Sequence, residues 1–184
     1  CAACGYAANV ERATSALAEI TDEAAPAAPE IFDTPGVRTI KALAEFDGGA
    51  AADRQIKTMV MVADGELVLA LVRGDHGLNE QKLSDGLRSV TLRAASADEA
   101  QKALGAMPGS LGAVGVDGIR IVADLALQGR TNMTTGANID DKHYRGVDLA
   151  RDVAVNEWLD LRTATAGEPC ANCGTALEII RCIE

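Results

Sequence analysis

Two Cys-x-x-Cys pairs stand at opposite ends of this 184-residue chain, and they constrain its fold more than any other feature. Each short turn aims two sulfur atoms at one point, and four thiolates presented in this way suit a tetrahedral zinc ion. A shared zinc requires the two chain ends to meet, so that residues 1–13 and 164–184 would form one base. A redox-active pair or two disulfide bonds are the alternatives, although neither pair lies in a strand-CxxC-helix pattern and we expect a reducing compartment. The predicted zinc ligands are Cys1, Cys4, Cys170 and Cys173.

The composition describes a one-domain chain with an acidic surface. The hydrophobic content of 48% is enough to bury a core. A formal net charge of -10 and an aromatic content of 3% argue against bulk nucleic-acid binding, because that binding depends on Lys, Arg and aromatic side chains. Any RNA contact should therefore be small and local. We find neither a signal segment nor the roughly 20 consecutive apolar residues of a membrane span, so we expect a cytosolic protein that binds no membrane.

Apolar periodicity predicts an α+β domain with a mixed, largely antiparallel sheet and surrounding helices. The clearest element is a β-hairpin in which strands 56–63 and 66–72 flank Asp64-Gly65, a strong two-residue turn signal. A helix is predicted from Thr34, as the cap, to the glycines that follow Asp47, and residues 14–33 before it are predicted to be a connector. Further helices are predicted over 79–87 and 97–107, and further strands over 88–94, 119–123, 130–137 and 144–147.

Lys57 and the glycine-rich loop 108–112 are the first candidates for chemistry. Lys57 begins a predicted buried strand, where its ammonium group must reach solvent or find an anionic partner, and a lysine extending to solvent is the ordinary interpretation. Glycines in loop 108–112 would let backbone amides approach a ligand, although a plain tight turn explains them equally well. The loop lacks the Gly-Lys-Ser/Thr ending of a phosphate-binding loop.

His143 and Asp124 are weaker candidates. His143 could bind a substrate or transfer a proton, or it could be an ordinary surface group beside two aspartates, and Asp124 could orient such a group from the end of a strand. The sequence holds no Ser-His-Asp signature and no HExxH, and its two histidines do not indicate a catalytic metal. The residues alone therefore indicate a zinc-stabilised α+β domain.

Several segments, in order along the chain, resemble the editing insertion domain of bacterial-type prolyl-tRNA synthetases, a member of the YbaK-like aminoacyl-tRNA deacylase family. Seven or so ordered motifs are far more specific than any one of them. The matching segments are Gly5-Tyr6-Ala7-Ala8-Asn9-Val10-Glu11, Thr34-Pro35-Gly36-Val37-Arg38-Thr39-Ile40, Leu71-Val72-Arg73-Gly74-Asp75-His76, Pro108-Gly109-Ser110-Leu111-Gly112, Gly136-Ala137-Asn138, Lys142-His143-Tyr144 and Asp160-Leu161-Arg162.

The resemblance implies an activity, its partners and a setting. The domain would hydrolyse alanine wrongly attached to proline tRNA, because a proline-sized synthetic pocket cannot exclude the smaller alanine and a second, smaller pocket must remove it. Its partners would be the acceptor end of Ala-tRNA(Pro) and the catalytic core of a parent synthetase that is a homodimer. Residues 1–184 would be one insertion domain that cannot charge tRNA alone, which agrees with a chain that starts without Met.

The resemblance also assigns roles to residues. Ile40 and Leu43 would form the apolar wall around the alanine methyl group, and Thr34 would border the substrate. Lys57 would hold the phosphate of the terminal adenosine or the ester. The loop amides would position the acyl carbonyl and a water molecule, and Asp124 and His143 would support the site. The predicted catalytic set is Lys57, Gly109, Ser110, Leu111 and Gly112.

The family resemblance further implies that the attacking water is assisted by the neighbouring ribose hydroxyl and that zinc is structural. The family loop often continues with proline, where this chain has Ala113, and Cys182 replaces a usual glycine. Two other functions remain open. The domain could support the synthetase core or dock the tRNA acceptor end without catalysis, or it could be a zinc-stabilised structural insert.

Overall fold

The structure is a computed structural model that describes residues 1–18 and 20–181. It confirms the predicted α+β class, with the elements distributed over a five-stranded and a three-stranded sheet. None of the helices in the described part of the chain is long and apolar enough to cross a membrane. The strands are β1 (Glu30–Asp33), β2 (Ile56–Ala63), β3 (Glu66–Arg73), β4 (Leu92–Ala94), β5 (Arg120–Asp124), β6 (Met133–Gly136), β7 (Lys142–Val147) and β8 (Glu157–Leu159), and the helices are α1 (Ile40–Glu45), α2 (Glu80–Leu87), α3 (Ala97–Leu104) and α4 (Leu149–Asp152).

The five-stranded sheet has the order β4-β2-β3-β5-β8 and is mixed. Its centre is the predicted hairpin, in which β2 and β3 pair antiparallel and Asp64 and Gly65 both adopt positive φ, as a tight two-residue turn requires. On the other side of β3, the pairs β3-β5 and β5-β8 are parallel. Residues of β3 such as Leu69 and Leu71 are fully buried because both faces of the sheet are covered.

The three-stranded sheet has the order β1-β7-β6, and its neighbouring strands pair antiparallel. A bridge between Gln55, just before β2, and Thr134 of β6 joins it to the larger sheet. The main core cluster contains residues of both sheets, among them Leu69, Ile121 and Met133. The two sheets are therefore held in one packed body, and the start of β2 lies at their junction.

Two local predictions were wrong, and two short elements were not predicted. The first helix begins at Ile40 with Thr39 as its cap, because the Thr39 side chain accepts a hydrogen bond from the Ala42 amide, whereas Thr34 lies just after β1. Part of the predicted connector is strand β1, whose alternation was too short to detect. Strand β8 and helix α4 were not predicted because each is only three or four residues long.

The two ends of the chain meet in the described residues. Ser15 forms a bridge with Cys170, and the Ala16 amide donates to the Pro169 carbonyl at 2.8 Å. The buried Arg162 guanidinium donates to the Ser15 carbonyl at 3.0 Å and pairs with Glu168 at 2.7 Å. These contacts bring the two cysteine pairs together.

Candidate active site

A cavity of about 430 Å³ opens between α1, the start of β2 and the loop before residue 112. It contains six of the predicted site residues, so residues that are far apart in sequence converge on one space. The six are Ile40, Leu43, Lys57, Gly109, Leu111 and His143.

Helix α1 provides the apolar wall of this cavity. The Thr39 cap fixes where the helix starts, and Ile40 and Leu43 are three residues apart, so they lie on one face of the helix. Leu43 is 3% exposed, and Ile40 is partly buried. The structure therefore places both of these residues in the cavity lining, on a helix that starts later than predicted.

Lys57 lies in the cavity with its ammonium group held at one position. Its Nζ donates to the backbone carbonyl of His76 at 2.6 Å, and no carboxylate of the described residues forms an ion pair with it. Burial lowers the pKa of Lys57, and the charge of Asp75 opposes this only in part. An ammonium has three N–H donors, so Lys57 can still donate to a ligand.

The turn after β3 orients the carbonyl that holds Lys57. Arg73 donates to the Asp75 carboxylate at 2.6 Å, and its Nη2 lies 2.8 Å from His76 Nε2. Because arginine only donates, this ring nitrogen of His76 must accept. Burial lowers the pKa of His76, and the Arg73 charge lowers it further. The Arg-Gly-Asp-His segment thus positions Lys57 through its backbone.

His143 is 5% exposed and faces the cavity from β7. Its Nδ1 lies 2.6 Å from Thr34 Oγ1. Thr34 therefore contacts a residue of the cavity lining but does not line the cavity itself. Burial lowers the pKa of His143, the Arg38 charge lowers it further, and a backbone hydrogen bond with Gly109 acts in the opposite direction. The imidazole is therefore mainly neutral at pH 7.

The glycine-rich loop is held by direct backbone contact with Gly136, the last residue of β6, and by Asn138 in the loop that follows. A Cβ atom at Gly112 would overlap the carbonyl oxygen of Gly136, and a Cβ atom at Gly136 would overlap the backbone of Ser110 and Leu111. The Asn138 side chain then forms two hydrogen bonds with Gly112, to its amide at 2.8 Å and to its carbonyl at 3.0 Å. These contacts fix the loop even though Ala113 stands where the family often has proline.

The same contacts correct the predicted role of the loop amides. The Gly112 amide donates to Asn138, and the Ser110 amide donates to the Met107 carbonyl at 3.2 Å, so neither is available to a ligand. The Ser110 hydroxyl accepts a hydrogen bond from the Asp141 amide at 3.2 Å. The amides of Gly109 and Leu111, both in the cavity lining, have no acceptor among the described residues. Ser110 and Gly112 therefore shape the loop, and Gly109 and Leu111 carry its free donors.

Asp124 does not line the cavity. Its Oδ1 accepts from the Ala126 amide at 2.9 Å, and its Oδ2 accepts from the amides of Leu161 and Arg162 at 2.7 and 3.0 Å. This buried carboxylate joins the end of β5 to the segment after β8. Its role in the structure is thus to fix backbone, and a direct substrate contact is not supported.

Sequence reasoning missed six polar residues of the cavity lining, namely Arg38, Thr39, Gln55, Thr58, Thr134 and Thr135. The Arg38 stem packs against Gly109, and its Nη1 pairs with Asp141 at 2.7 Å. Arg38 belongs to a matched family motif, and Thr58 is the next residue after Lys57. Closeness in sequence to predicted site residues could therefore have indicated both of them. Gln55 gave no such signal because it precedes the strand.

The four terminal cysteines form one cluster, with all sulfur atoms within 4.8 Å of one another. Cys1 Sγ lies 3.5 Å from Cys173 Sγ, and Cys4 Sγ lies 3.7 Å from Cys170 Sγ. Tetrahedral zinc with Zn–S bonds of about 2.3 Å separates its sulfur ligands by about 3.8 Å, so the cluster fits such an ion. Hydrogen bonds with the backbone and side chain of Thr175 lower the pKa of Cys173 to about 7, which favours the thiolate. Cys182 lies outside the described residues.

Comparison with known sequences gives a consistent family. The family model described as the aminoacyl-tRNA editing domain matches residues 34–151. The proline–tRNA ligase of Anaeromyxobacter sp. (strain Fw109-5) is 46% identical over 187 residues, and that of Nitratidesulfovibrio vulgaris (strain DP4) is 45% identical over 185 residues. Both alignments cover 100% of this chain and 32% of the relative, so the chain spans about a third of the length of these ligases.

Comparison with solved structures supports the fold. A protein described as a candidate trans-editing enzyme for prolyl tRNA synthetase superposes with a TM-score of 0.63. The superposition covers 74% of this chain and 87% of that protein at 22% sequence identity. At this identity the likeness concerns the fold alone.

Proposed function

Because this chain belongs to the aminoacyl-tRNA editing domain family, we propose that it hydrolyses the ester bond of Ala-tRNA(Pro), the product of proline–tRNA ligase charging its tRNA with the wrong amino acid. The proline–tRNA ligases that it resembles support the choice of tRNA. The observation that carries the proposal is the lining of the cavity, which brings together Ile40, Leu43, Lys57, Gly109 and Leu111.

The wall selects the amino acid by size. The alanine methyl group packs against Ile40 and Leu43, and the bulk of these two side chains opposes entry of the larger proline ring. Two backbone amides, those of Gly109 and Leu111, donate to the acyl carbonyl and stabilise the negative charge that develops on its oxygen. Lys57 donates to an oxygen of the ester or of the adjoining phosphate.

Water is the nucleophile in this mechanism. Its oxygen attacks the acyl carbon and gives one proton to the neighbouring ribose hydroxyl. That hydroxyl passes its own proton to the ribose oxygen that carried alanine, which leaves as the bond to the acyl carbon breaks. The products are alanine and free tRNA. Neutral His143, fixed by Thr34, orients the substrate and keeps positive charge away from the ammonium of Lys57.

Zinc has a structural role in this proposal. The residues Cys1, Cys4, Cys170 and Cys173 hold one ion that joins the two chain ends, and none of the four lines the cavity. When bound, zinc supplies a rigid cross-link between four thiolates. The domain acts in the cytoplasm, attached to the catalytic core of a dimeric synthetase, and contacts only the acceptor end of the tRNA because its net charge of -10 disfavours wider contact.

The deciding experiment is incubation of the domain with Ala-tRNA(Pro) and, as the control, Pro-tRNA(Pro). We expect loss of the alanyl ester and retention of the prolyl ester. Retention of both esters by a folded domain that still binds tRNA would favour the alternative, a non-catalytic domain that docks the acceptor end.

A further inference from the structure

Two buried polar atoms of the cavity have no hydrogen-bond partner among the described residues. They are Gln55 Oε1 and Thr58 Oγ1, and both residues line the cavity. A buried polar atom without a partner lowers the stability of a fold, so native proteins seldom keep one without a reason. At the wall of a cavity, the simplest reason is a ligand that completes the hydrogen bond.

The orientation of the Gln55 amide is determined by its other contacts. Its Nε2 donates to the Ile40 carbonyl at 2.9 Å and to the Ala50 carbonyl at 2.6 Å, which uses both N–H groups. The remaining atom, Oε1, can only accept. Any ligand that satisfies Gln55 must therefore bring a hydrogen-bond donor.

Thr58 presents a second possible acceptor from β2. Thr58 lies in the stretch of β2 from Ile56 to Val60, every residue of which lines the cavity. Its hydroxyl can accept as well as donate. This hydroxyl has no hydrogen-bond partner among the described residues, so its removal would break no hydrogen bond of the fold.

The charges of the cavity determine how it can bind an amino group. Its ionisable lining residues are Arg38, Lys57 and His143, and no carboxylate belongs to the described lining. An amino group in this space has no carboxylate to pair with and must be bound by neutral oxygen atoms. Gln55 and Thr58 supply such atoms.

We propose that Gln55 and Thr58 bind the α-amino group of the aminoacyl ester. This inference rests on the proposed function, because it takes an aminoacyl ester as the ligand. The α-carbon of alanine carries both the methyl group and the amino group, so the two groups must bind close together. Gln55 donates a hydrogen bond to the carbonyl of Ile40, which is part of the wall that receives the methyl group. The pair thus requires a free amino group, so the cavity rejects esters whose amino group is absent or acylated.

Binding of two stable analogues tests this assignment without hydrolysis. The probes are 3′-deoxy-3′-(alanylamino)adenosine and its propionylamino counterpart, which lacks only the α-amino group. Titration calorimetry should show that the unaltered domain prefers the alanylamino analogue by about tenfold or more. Equal affinities, or binding of neither analogue at millimolar concentration, would overturn the proposal.

The variants Thr58→Val and Thr58→Ser test whether the Thr58 hydroxyl binds the α-amino group. Valine has nearly the same shape, so Thr58→Val should melt at the same or a higher temperature while its preference for the alanylamino analogue falls at least about threefold. Its affinity for the propionylamino analogue should not change, and Thr58→Ser should retain the preference. An equal loss for both analogues would assign Thr58 to packing instead.

The side-chain amide signals of Gln55 examine the second acceptor without any substitution. They should shift in NMR spectra when the alanylamino analogue binds and stay in place with the propionylamino analogue, and the same shift with both would exclude Gln55. A domain with the expected preference that fails to hydrolyse Ala-tRNA(Pro) would contradict the proposed function and leave this inference standing.

Discussion

Thr34 Oγ1 and His143 Nδ1 lie 2.6 Å apart in the buried region behind the cavity. This hydrogen bond connects the end of β1 with β7 and orients an imidazole that is 5% exposed. Burial and the Arg38 charge both lower the pKa of His143, so the folded protein favours the neutral imidazole. The stability of the domain should therefore depend on pH.

The free energy of unfolding should fall as the pH is lowered from 7.5 to 5.5. In the unfolded chain a histidine takes up a proton near its ordinary pKa of 6.5, whereas in the folded protein the pKa values of His143 and His76 are lower. The unfolded state then binds more protons, which costs at most about 1.4 kcal/mol per pH unit for each histidine. Urea denaturation at the two pH values measures the change.

His143→Gln is the matched variant for this pH effect. It removes one of the two titrating rings, so its stability should fall less between pH 7.5 and pH 5.5 than that of the unaltered domain. An equal fall in both proteins would show that His143 does not resist protonation.

Lys57→Ala should slow hydrolysis of Ala-tRNA(Pro) by at least about tenfold, because a charge-assisted contact contributes roughly 1.5–3 kcal/mol. Lys57→Arg should recover only part of the rate, since a planar guanidinium does not replace a compact ammonium. Lys41→Ala is the control, because Lys41 is 84% exposed on α1. Single-turnover deacylation measures all three, and a folded Lys57→Ala domain with the unaltered rate would remove Lys57 from the site.

Leu43→Ala should relax the size selection of the cavity. The substitution removes part of the apolar wall, so esters of amino acids larger than alanine, including Pro-tRNA(Pro), should become substrates. Leu83→Ala deletes the same atoms from a fully buried position in α2, outside the cavity. Both variants should lose about 2–5 kcal/mol of stability, and only Leu43→Ala should change the substrate range. An unchanged range in both would place the selecting wall elsewhere.

Gly136→Ala should separate the two loops that meet beside the cavity, because its Cβ atom would overlap the backbone of Ser110 and Leu111. Displacing the free amides should slow Ala-tRNA(Pro) hydrolysis on the order of a hundredfold. At Gly77 the nearest atom to an added Cβ is Thr163 Oγ1 at 3.8 Å, so Gly77→Ala serves as the control. Comparable rates in the two variants would mean that the loop contact does not matter for catalysis.

The purified domain should contain one zinc ion per chain by elemental analysis. A chelator should lower its melting temperature, because zinc at 100 times its Kd contributes about 2.7 kcal/mol to the folded state. Cys170→Ser should melt at a lower temperature and no longer respond to the chelator. A purified domain that contains no zinc, and whose melting temperature changes neither with added zinc nor with a chelator, would contradict the zinc site.

Sequence reasoning located the hairpin for a clear physical reason, because Asp64-Gly65 fits a turn that needs positive φ at both positions. Helical spacing placed Ile40 and Leu43 on one face of a helix, and only the family resemblance assigned that face to the substrate. The four-cysteine cluster also followed from spacing, because two short turns can share one ion.

The remaining features depend on contacts between distant segments. No local sequence pattern shows that Asn138 accepts a hydrogen bond from the Gly112 amide, or that the Asp124 carboxylate accepts from backbone amides. The isolated state of Gln55 Oε1 is likewise visible only when the whole cavity is assembled. Thr34 was misassigned as a helix cap because Thr34-Pro35 has the local pattern of a helix start, while Thr39 provides the real one.

The backbone contact between Gly112 and Gly136 limits which side of the cavity can be mutated to change its specificity. Neither glycine can accept a side chain, so mutant libraries that randomise these two loops should yield mostly inactive proteins. Helix α1 lines the cavity through the side chains of Ile40 and Leu43, so substitutions there introduce no clash between two backbones. New amino-acid preferences should therefore evolve through α1, while the opposite side of the cavity stays constant.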